Sequence, residues 1–260
     1  MNDSSADRAP RGIQSIEVGG ALLVALVHLG RPLPLKELAQ AAGMAAAKAH
    51  PYLVSFIKLG LVAQESEGGR YGLGPLALQL GLISLQQYDP VRLATPVIEA
   101  LAAEFGQTVA IAVWGNRGPT VVRVAEAPGP VHVSMRHGTV MSLRGTASGR
   151  VFAAHLPPSD VRSALMLAGE GSRLDASFQA LLAEVRRAGV ASTQDAVVPG
   201  VSALAAPVFD QQQRIVLCLT ALGPSMGFDL DAQGRVATPL RSAARQLSRQ
   251  LGALTDAGSQ

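Results

Sequence analysis

The residues that could support catalysis or hold a metal are few in this sequence, and they are scattered. The five histidines are His28, His50, His132, His137 and His155, and no HExxH or CxxC motif occurs. The single cysteine, Cys218, excludes an internal disulfide and lies in the apolar run 215–221, which indicates a small core residue. No G-x-S-x-G elbow or P-loop is present. The sequence therefore predicts no metal and no cofactor, and an enzyme is the less favoured alternative.

The basic side chains indicate a different chemistry, the binding of nucleic acid. All three lysines of the chain, Lys36, Lys48 and Lys58, fall between residues 34 and 59. Apolar residues recur at one-face spacing over 34–42, and Gly43 then permits a left-handed backbone turn. A second helix extends to about residue 59, and helix, glycine turn, helix is the helix-turn-helix pattern.

Two short extended runs follow the second helix, with Gly68 and Gly69 as the turn between them. They predict a β-hairpin, or wing, and hence a winged helix-turn-helix domain over residues 13–74. In the second helix, Ala49, Leu53, Phe56 and Ile57 are expected to face the core. The candidate DNA contacts are the outward residues of that helix and one arginine of the wing: Ala47, Lys48, His50, Pro51, Ser55, Lys58 and Arg70. For any one lysine, a solvated charge is as consistent with the sequence as a phosphate contact.

The nearly balanced charge of this domain gives only limited support for DNA binding. Residues 1–88 carry seven Lys and Arg against six Asp and Glu. Affinity for phosphate rises with each basic contact, so a single copy offers a weak surface. Oligomerisation would multiply that surface.

Composition predicts a soluble, cytoplasmic protein of one or two domains. Of the 260 residues, 48% are hydrophobic, which is enough for a large core. Residues 1–12 are polar and charged, so they are predicted to be a disordered tail and not a secretory signal; residues 255–260 form a second tail. The longest apolar stretch, 21–27, is much shorter than the roughly 20 residues that span a bilayer. No membrane association is expected.

Two helices flank the helix-turn-helix in the predicted domain. The first covers 13–29, and its apolar stripe consists of Ile16, Leu22, Leu23, Leu26 and Val27. The second covers 76–88 and is nearly free of charge, which is unusual for a solvated linker. A core helix and a connecting helix that packs against a partner subunit explain this composition equally well.

Residues 89–254 alternate predicted strands and helices. Strands are predicted at 108–114, 120–125, 131–136, 191–194, 201–209 and 214–222. Helices are predicted at 97–105, where Pro96 begins the helix, and at 148–155, 158–168, 177–188 and 230–254. The last of these carries Arg235, Arg241, Arg245 and Arg249 on its polar side. This order predicts an α+β domain with an antiparallel sheet.

Segments of both halves together resemble the IclR-type transcriptional regulators over residues 13–254. The N-terminal resemblance rests on GIQSIEVGGALLVALVHLG, LKELAQAAGM, YLVSFIKLGLV and GRYGLGPLALQLG, and the C-terminal one on LRGTASGRVF, AAPVFD and LTALGP. The resemblance implies a winged helix-turn-helix, a linker helix at 75–88 and a GAF-like effector-binding domain at 89–254. It also implies a homodimer or tetramer that binds double-stranded DNA at a palindromic operator and responds to a small organic or aromatic acid. The alternative is a ligand-binding protein whose winged domain mediates protein contacts.

Pro51 departs from this resemblance at a sensitive position. It stands in the second helix where the resemblance leads us to expect an arginine. Proline lacks a backbone donor, so it is tolerated in a helix chiefly in the first turn, where donors have no intrahelical partner. Pro51 is therefore tolerated only if this helix begins near Lys48. The start of the helix is poorly specified by the sequence, and DNA affinity is expected to be lower than is usual for the family.

The resemblance also implies an effector pocket between the sheet and the segment 143–152. Matching motif to motif brings six residues to pocket positions: Ala147, Ser148, Thr193, Ala203, Thr220 and Leu222. Strand alternation adds Cys218, on the same face as Thr220. Arg144 could pair with a ligand carboxylate, because its planar guanidinium can donate parallel hydrogen bonds to both carboxylate oxygens. A surface arginine is the alternative. Several positions are apolar, so the effector is expected to be larger and more apolar than a two- or three-carbon acid.

Overall fold

A computed structural model describes residues 12–65, 69–86, 89–127, 133–171 and 173–253. The chain divides into two compact units, residues 1–88 and 89–260. The predicted tails lie outside the described residues, apart from Gly12. No helix in the described ranges has both the length and the apolar character needed to cross a bilayer.

The N-terminal unit has the predicted winged helix-turn-helix. Its described elements are α1 (Gln14–Leu29), α2 (Leu35–Ala41), α3 (Ala46–Leu59), β1 (Val62–Gln64), β2 (Tyr71–Leu73) and α4 (Pro75–Gln86). Gly43, with a φ of 67°, adopts the left-handed conformation that lets the chain reverse between α2 and α3. The strands β1 and β2 pair antiparallel, and Leu33 pairs with Tyr71 through two backbone hydrogen bonds. Residues 66–68 of the wing and 87–88 of the predicted linker helix lie outside the described residues.

The core of this unit is formed where α1, α2 and α3 meet. Leu22, Leu26, Leu38 and Leu53 are buried at its centre. Gly19 of α1 lies against α3, where a Cβ atom would come within 2.8 Å of the Tyr52 ring. A glycine therefore lets the two helices approach closely at this point.

Three apolar residues of the predicted helical stripes are exposed. Ile16 and Val27 of α1 are 69% and 53% exposed, and Ile57 of α3 is 37% exposed. The spacing of these residues fits a helical stripe, but the three-helix core is too small to cover it. The prediction that Ile57 faces the core was wrong.

The C-terminal unit is the predicted α+β domain. Its described elements are α5 (Pro90–Phe105), β3 (Thr108–Gly115), β4 (Gly118–Ala125), α6 (Ala147–His155), α7 (Pro158–Leu167), α8 (Ala176–Ala188), β5 (Ala191–Gln194), β6 (Val201–Phe209), β7 (Ile215–Pro224) and α9 (Ala237–Gln250). The five strands form one antiparallel sheet in the order β4-β3-β7-β6-β5.

Helices cover both faces of this sheet. The helices α6 and α8 pack together, as do α5 and α9, and both α6 and α9 contact β6 and β7. The apolar cluster beneath α6 contains residues of α6 and α8 but none of α9, so α6 and α9 lie on opposite faces. Strand alternation assigns Cys218 and Ala205 to the α6 face, where they join its apolar cluster. Phe152 of α6 is fully buried in that cluster.

Three elements of this unit differ from the sequence-based prediction. Residues 133–136 form no strand, while 131–132 lie outside the described residues. Pro96 lies inside α5, which begins at Pro90, so it does not start the helix. The last helix begins at Ala237 and ends at Gln250, so Arg235 precedes it. Turns occupy residues 232–235 instead, where the Asp229 carboxylate accepts a hydrogen bond from the Arg235 backbone N–H.

Candidate DNA-reading helix and ligand cavity

The outward face of α3 has the composition predicted for a DNA-reading surface. The predicted contact residues are all exposed on α3 or the wing: Ala47, Lys48, His50, Pro51, Ser55, Lys58 and Arg70. Ala49 and Leu53 are completely buried and hold the opposite face of α3 on the core. Helix α3 thus presents two lysines and a histidine on its solvent side. Their contact with DNA stays a prediction.

Pro51 occupies the interior of α3 and not its first turn. The helix begins at Ala46, with Ala45 as an N-cap residue whose methyl side chain accepts no hydrogen bond. Pro51 is therefore the sixth helical residue, and the carbonyl of Ala47 lacks the donor that any other residue at position 51 would supply. A helix start near Lys48, which would have placed the proline in the first turn, is not observed. Packing of Ala49 and Leu53 holds the first turns in place despite the proline.

The C-terminal unit contains a cavity of about 230 Å³ between the sheet, the N-terminus of α6 and two loops. Its lining includes six of the predicted effector residues: Ala147, Ser148, Thr193, Ala203, Thr220 and Leu222. Buried Ala147, Ser148 and Thr220 form its inner end. None of its described lining residues carries a charged side chain.

Two buried hydroxyl groups lie at the inner end of the cavity. The Oγ of Ser148 and the Oγ1 of Thr220 are 2.8 Å apart and share a hydrogen bond. Cys218 lies behind them, with its Sγ 3.7 Å from Thr220 Oγ1. Burial raises the pKa of the Cys218 thiol to about 11, so the thiol stays protonated at neutral pH.

Cys218 is not part of the cavity lining. It shares a strand face with Thr220, as predicted, but it is fully buried and packs in the apolar cluster under α6. Its position therefore corrects the expectation that the thiol reaches the pocket directly.

The segment 142–146 forms one wall and leads into α6. Thr146 caps the helix by accepting a hydrogen bond from the Gly149 N–H at 2.9 Å. Gly149 is required here because a Cβ atom would lie 2.0 Å from the Ser142 carbonyl oxygen. The two donors that precede it in the first turn, the N–H groups of Ala147 and Ser148, have no acceptor within the helix. Both residues line the cavity.

Arg144 lies outside the cavity lining, contrary to its predicted role. Its Nη1 donates to Asp175 Oδ2 at 3.1 Å, and its guanidinium lies 4.4 Å from the centre of the Phe178 ring. The Asp175 carboxylate also caps α8 and has a pKa lowered to about 2, mainly by hydrogen bonds from Ser177 and the Phe178 N–H. Arg144 therefore fastens the loop before α6 to the start of α8.

A second arginine joins two walls of the cavity. Arg150 of α6 donates from Nε to the Arg144 carbonyl at 2.9 Å and from Nη1 to the Ser192 carbonyl at 2.7 Å. These carbonyls immediately precede the lining residues Gly145 and Thr193. Burial lowers the pKa of Arg150.

The outer part of the cavity was not predicted residue by residue. Val133, Ser134 and Met135 fall in a predicted strand that does not form, and Val201 begins β6. Most of the other residues lie in two irregular loops. The full outer lining is Val133, Ser134, Met135, Thr139, Val140, Met141, Ser142, Gly145, Thr146, Ala196, Val197, Val198 and Val201. Within the turn 195–200, the only local signal was the apolar pair Val197–Val198.

A winged helix-turn-helix joined to an α+β unit with an internal cavity defines the class of DNA-binding transcriptional regulators. Two family models match this chain: the IclR helix-turn-helix domain over residues 15–66 and the bacterial transcriptional regulator IclR C-terminal domain over residues 83–249. The chain therefore belongs to the IclR family of transcriptional regulators, and the predicted family and fold are confirmed.

Individual relatives cover nearly the whole chain. The glycerol operon regulatory protein of Streptomyces griseus is 31% identical over 94% of this chain and 98% of its own length. The crystal structure of Pseudomonas aeruginosa HmgR is 36% identical, with a TM-score of 0.84, over 95% of this chain and 100% of that one. Agrobacterium tumefaciens repressor BlcR, at 20% identity and a TM-score of 0.74, shares the fold. The chain is a transcriptional regulator and not an enzyme, and DNA is its partner.

Proposed function

We propose that this regulator binds a small organic or aromatic acid in the C-terminal cavity and that the bound acid changes its affinity for operator DNA. The observation that carries the proposal is the cavity itself, apolar along most of its lining, with the Ser148–Thr220 hydroxyl pair at its inner end. Such a combination favours an apolar ligand oriented by a few polar groups.

The cavity volume supports a ligand of about one substituted ring. An engineered apolar cavity of about 150 Å³ binds benzene, and this cavity has about 230 Å³. Valine and methionine side chains, among them Val133, Met135 and Met141, form much of the lining. A two- or three-carbon acid would leave most of this apolar surface without a contact.

The N-terminus of α6 is our candidate for the carboxylate position. No cationic side chain is present among the described lining residues, so the charge must be met by neutral donors. The N–H groups of Ala147 and Ser148 lack helical acceptors, and the helix dipole favours an anion at this end. This arrangement suits a monocarboxylate better than a ligand with several charges.

On the DNA side, α3 is the candidate helix for the major groove. Lys48, Lys58 and Arg70 would contact phosphates, while His50 would contact a base edge or a phosphate. Three cations are few for one DNA-binding domain. Two copies on a palindromic operator would double them, with half-sites about 34 to 36 Å apart.

Exposed apolar surface on α1 and α4 supports a homodimer or a larger assembly. Ile16, Val24 and Val27 share one exposed face of α1. Helix α4 contains no charged residue, and its leucines Leu78, Leu80 and Leu82 are exposed. Apolar surfaces of this kind on a protein that carries no membrane-spanning helix in its described residues usually mark contacts between proteins. A chain that binds chromosomal DNA would act in the cytoplasm.

Selection of DNA from a random duplex library tests the DNA half of the proposal. Full-length protein should enrich an inverted repeat, and footprinting on that sequence should protect two half-sites. Calorimetric titration with benzoate, phenylacetate, acetate and pyruvate tests the ligand half. We expect the aromatic acids to bind more tightly than acetate and pyruvate; the reverse order would contradict the assignment of ligand class.

A further inference from the structure

The mouth of the ligand cavity can be located from burial. Ala147, Ser148 and Thr220 line the cavity and are almost fully buried, which makes them its inner end. Val197 and Val198 line the same cavity but are 59% and 54% exposed. A residue that both lines a cavity and contacts solvent lies at its opening, so these two valines lie at the mouth.

The two valines belong to a short turn, residues 195–200, whose two ends are linked by a hydrogen bond. The Oδ1 of Asp195 accepts a hydrogen bond from the Gly200 N–H at 2.7 Å and another from the Ser225 hydroxyl at 2.7 Å. The backbone of Asp195 has a φ of 52°, a conformation that is uncommon outside glycine. This turn is therefore held in a defined position although its side chains are exposed.

Val197 packs against the opposite wall of the cavity. A Cβ atom built on Gly145 would lie 3.0 Å from Val197 Cγ2. Gly145 belongs to the wall that leads into α6 and also lines the cavity. The contact between Val197 and Gly145 thus spans the mouth from the turn to the α6 wall.

We propose that Val197 determines ligand specificity by limiting how long a ligand the cavity accepts. The inference rests on the proposed binding of an acid in this cavity. An acid with its carboxylate at the inner end directs its distal end toward the mouth, where it meets the Val197 methyl groups. Removal of those methyl groups opens space for additional carbon atoms while the inner end stays unchanged.

A graded series of aromatic acids measures this limit. Benzoate, phenylacetate, 3-phenylpropanoate and 4-phenylbutanoate differ by one methylene each, and each newly buried methylene changes affinity about fourfold. By calorimetry on the full-length protein, Val197→Ala should shift the preferred acid to a longer member of the series. Val122→Ala, the same deletion on β4 and away from the cavity lining, should leave the order unchanged.

A second measurement needs no ligand. A cysteine introduced at Ala203 in the cavity reports access by its rate of alkylation with iodoacetamide, because the native Cys218 is fully buried and protonated. In the Ala203→Cys background, Val197→Ala should raise the alkylation rate severalfold, and Val122→Ala should not.

The two measurements test the role of Val197 separately from the proposed binding of an aromatic acid. A faster alkylation together with a longer preferred acid supports both. An unchanged alkylation rate, or an unchanged order of acids that do bind, overturns the role of Val197. A faster alkylation with no binding of any acid in the series supports Val197 as the cover of the mouth and overturns the aromatic-acid ligand class.

Discussion

At the scale of single residues, the Ser148–Thr220 hydroxyl pair offers the most specific test of the cavity. Thr220→Val keeps the shape of the side chain but removes its hydroxyl, and with it the 2.8 Å hydrogen bond to Ser148. We expect ligand affinity to fall about two- to tenfold, the value of one buried hydrogen bond. Calorimetry with the best-bound acid measures this change.

The control for this variant is Thr95→Val in α5, which also removes a hydroxyl bonded within the protein, to the Val91 carbonyl. It should bind ligand as the wild type does. Equal ligand affinity in Thr220→Val and wild type would place the polar end of the ligand elsewhere.

Pro51 destabilises helix α3 and also lacks the positive charge that an arginine would supply at this position. Two substitutions separate these effects. Pro51→Ala restores a donor for the Ala47 carbonyl. It should stabilise the protein by up to about 3 kcal/mol. The gain is smaller than this limit because replacing proline also raises the conformational entropy of the unfolded chain. Pro51→Arg should add to this a tighter DNA complex with a salt dependence steeper by about one counterion.

Thermal unfolding and DNA titrations at several salt concentrations measure the two effects. The alanine variant is the control for the arginine variant, since both repair the helix and only one adds charge. If both variants share the wild-type salt slope, position 51 does not face the DNA.

His155 should make stability depend on pH. Burial, and then the nearby Arg186, lower its pKa from 6.5 to about 4, and its buried Nε2 has no hydrogen-bond partner among the described residues. Because the folded pKa is depressed, the stabilising effect of the neutral ring is complete above pH 6.5. It is lost as the pH falls toward 4.

His155→Phe keeps an aromatic ring at the edge-on contact with Phe209, whose centroid lies 5.0 Å away, and cannot be protonated. The variant should lose less stability than wild type between pH 6.5 and 4. The difference should be on the order of 1 to 3 kcal/mol, with the upper end reduced by the partial exposure of the ring. Parallel pH dependences of the two unfolding free energies would contradict the shifted pKa.

Single residues also mark the limit of what sequence could predict for the site. Motif matching identified six of the residues that line the cavity, because these residues lie on regular strands or at the start of α6. Arg144 was misplaced because its partners, Asp175 and Phe178, are more than thirty residues away in sequence. The mouth residues were missed because irregular loops have no period from which the facing side can be predicted.

At the scale of elements, the exposed face of α1 carries a prediction about assembly. Val24 belongs to this face with Ile16 and Val27 and is 52% exposed. If the face packs against a second copy, Val24→Glu buries a charge in the interface and should convert the assembly to smaller species. Sedimentation of the variant measures its mass.

Gln40→Glu adds the same charge to an exposed position of α2 and serves as the control, which should sediment as the wild type does. An unchanged mass for Val24→Glu would exclude this face of α1 from the interface.

The limits of some elements could be predicted from local patterns, whereas the start of α5 could not. The strands β5 and β6 have the predicted limits, because alternation and neighbouring turns define them. Pro96 was expected to begin a helix, yet α5 continues through it. The burial of Ala94, Ile98 and Leu101 outweighs an interior proline, which costs about 3 kcal/mol. Tertiary packing of this kind is not visible in a local pattern.

At the scale of the whole molecule, the proposed regulation requires a free energy of coupling between two sites on separate units. A ligand shifts DNA binding only if its affinity differs between the DNA-bound and free protein. The effect is reciprocal, so DNA must change ligand affinity by the same factor that ligand changes DNA affinity. This equality distinguishes coupling from a ligand that acts on the DNA or on protein concentration.

Regulation by the ligand is therefore tested most directly by the dissociation constant for the selected operator, measured with and without a saturating concentration of the best-bound acid. We expect a change of about 5- to 150-fold, the usual range of allosteric coupling. In Thr220→Val the same change should require a higher acid concentration. An operator affinity that is identical at zero and saturating acid, in a protein shown by calorimetry to bind that acid, would exclude the proposed regulation.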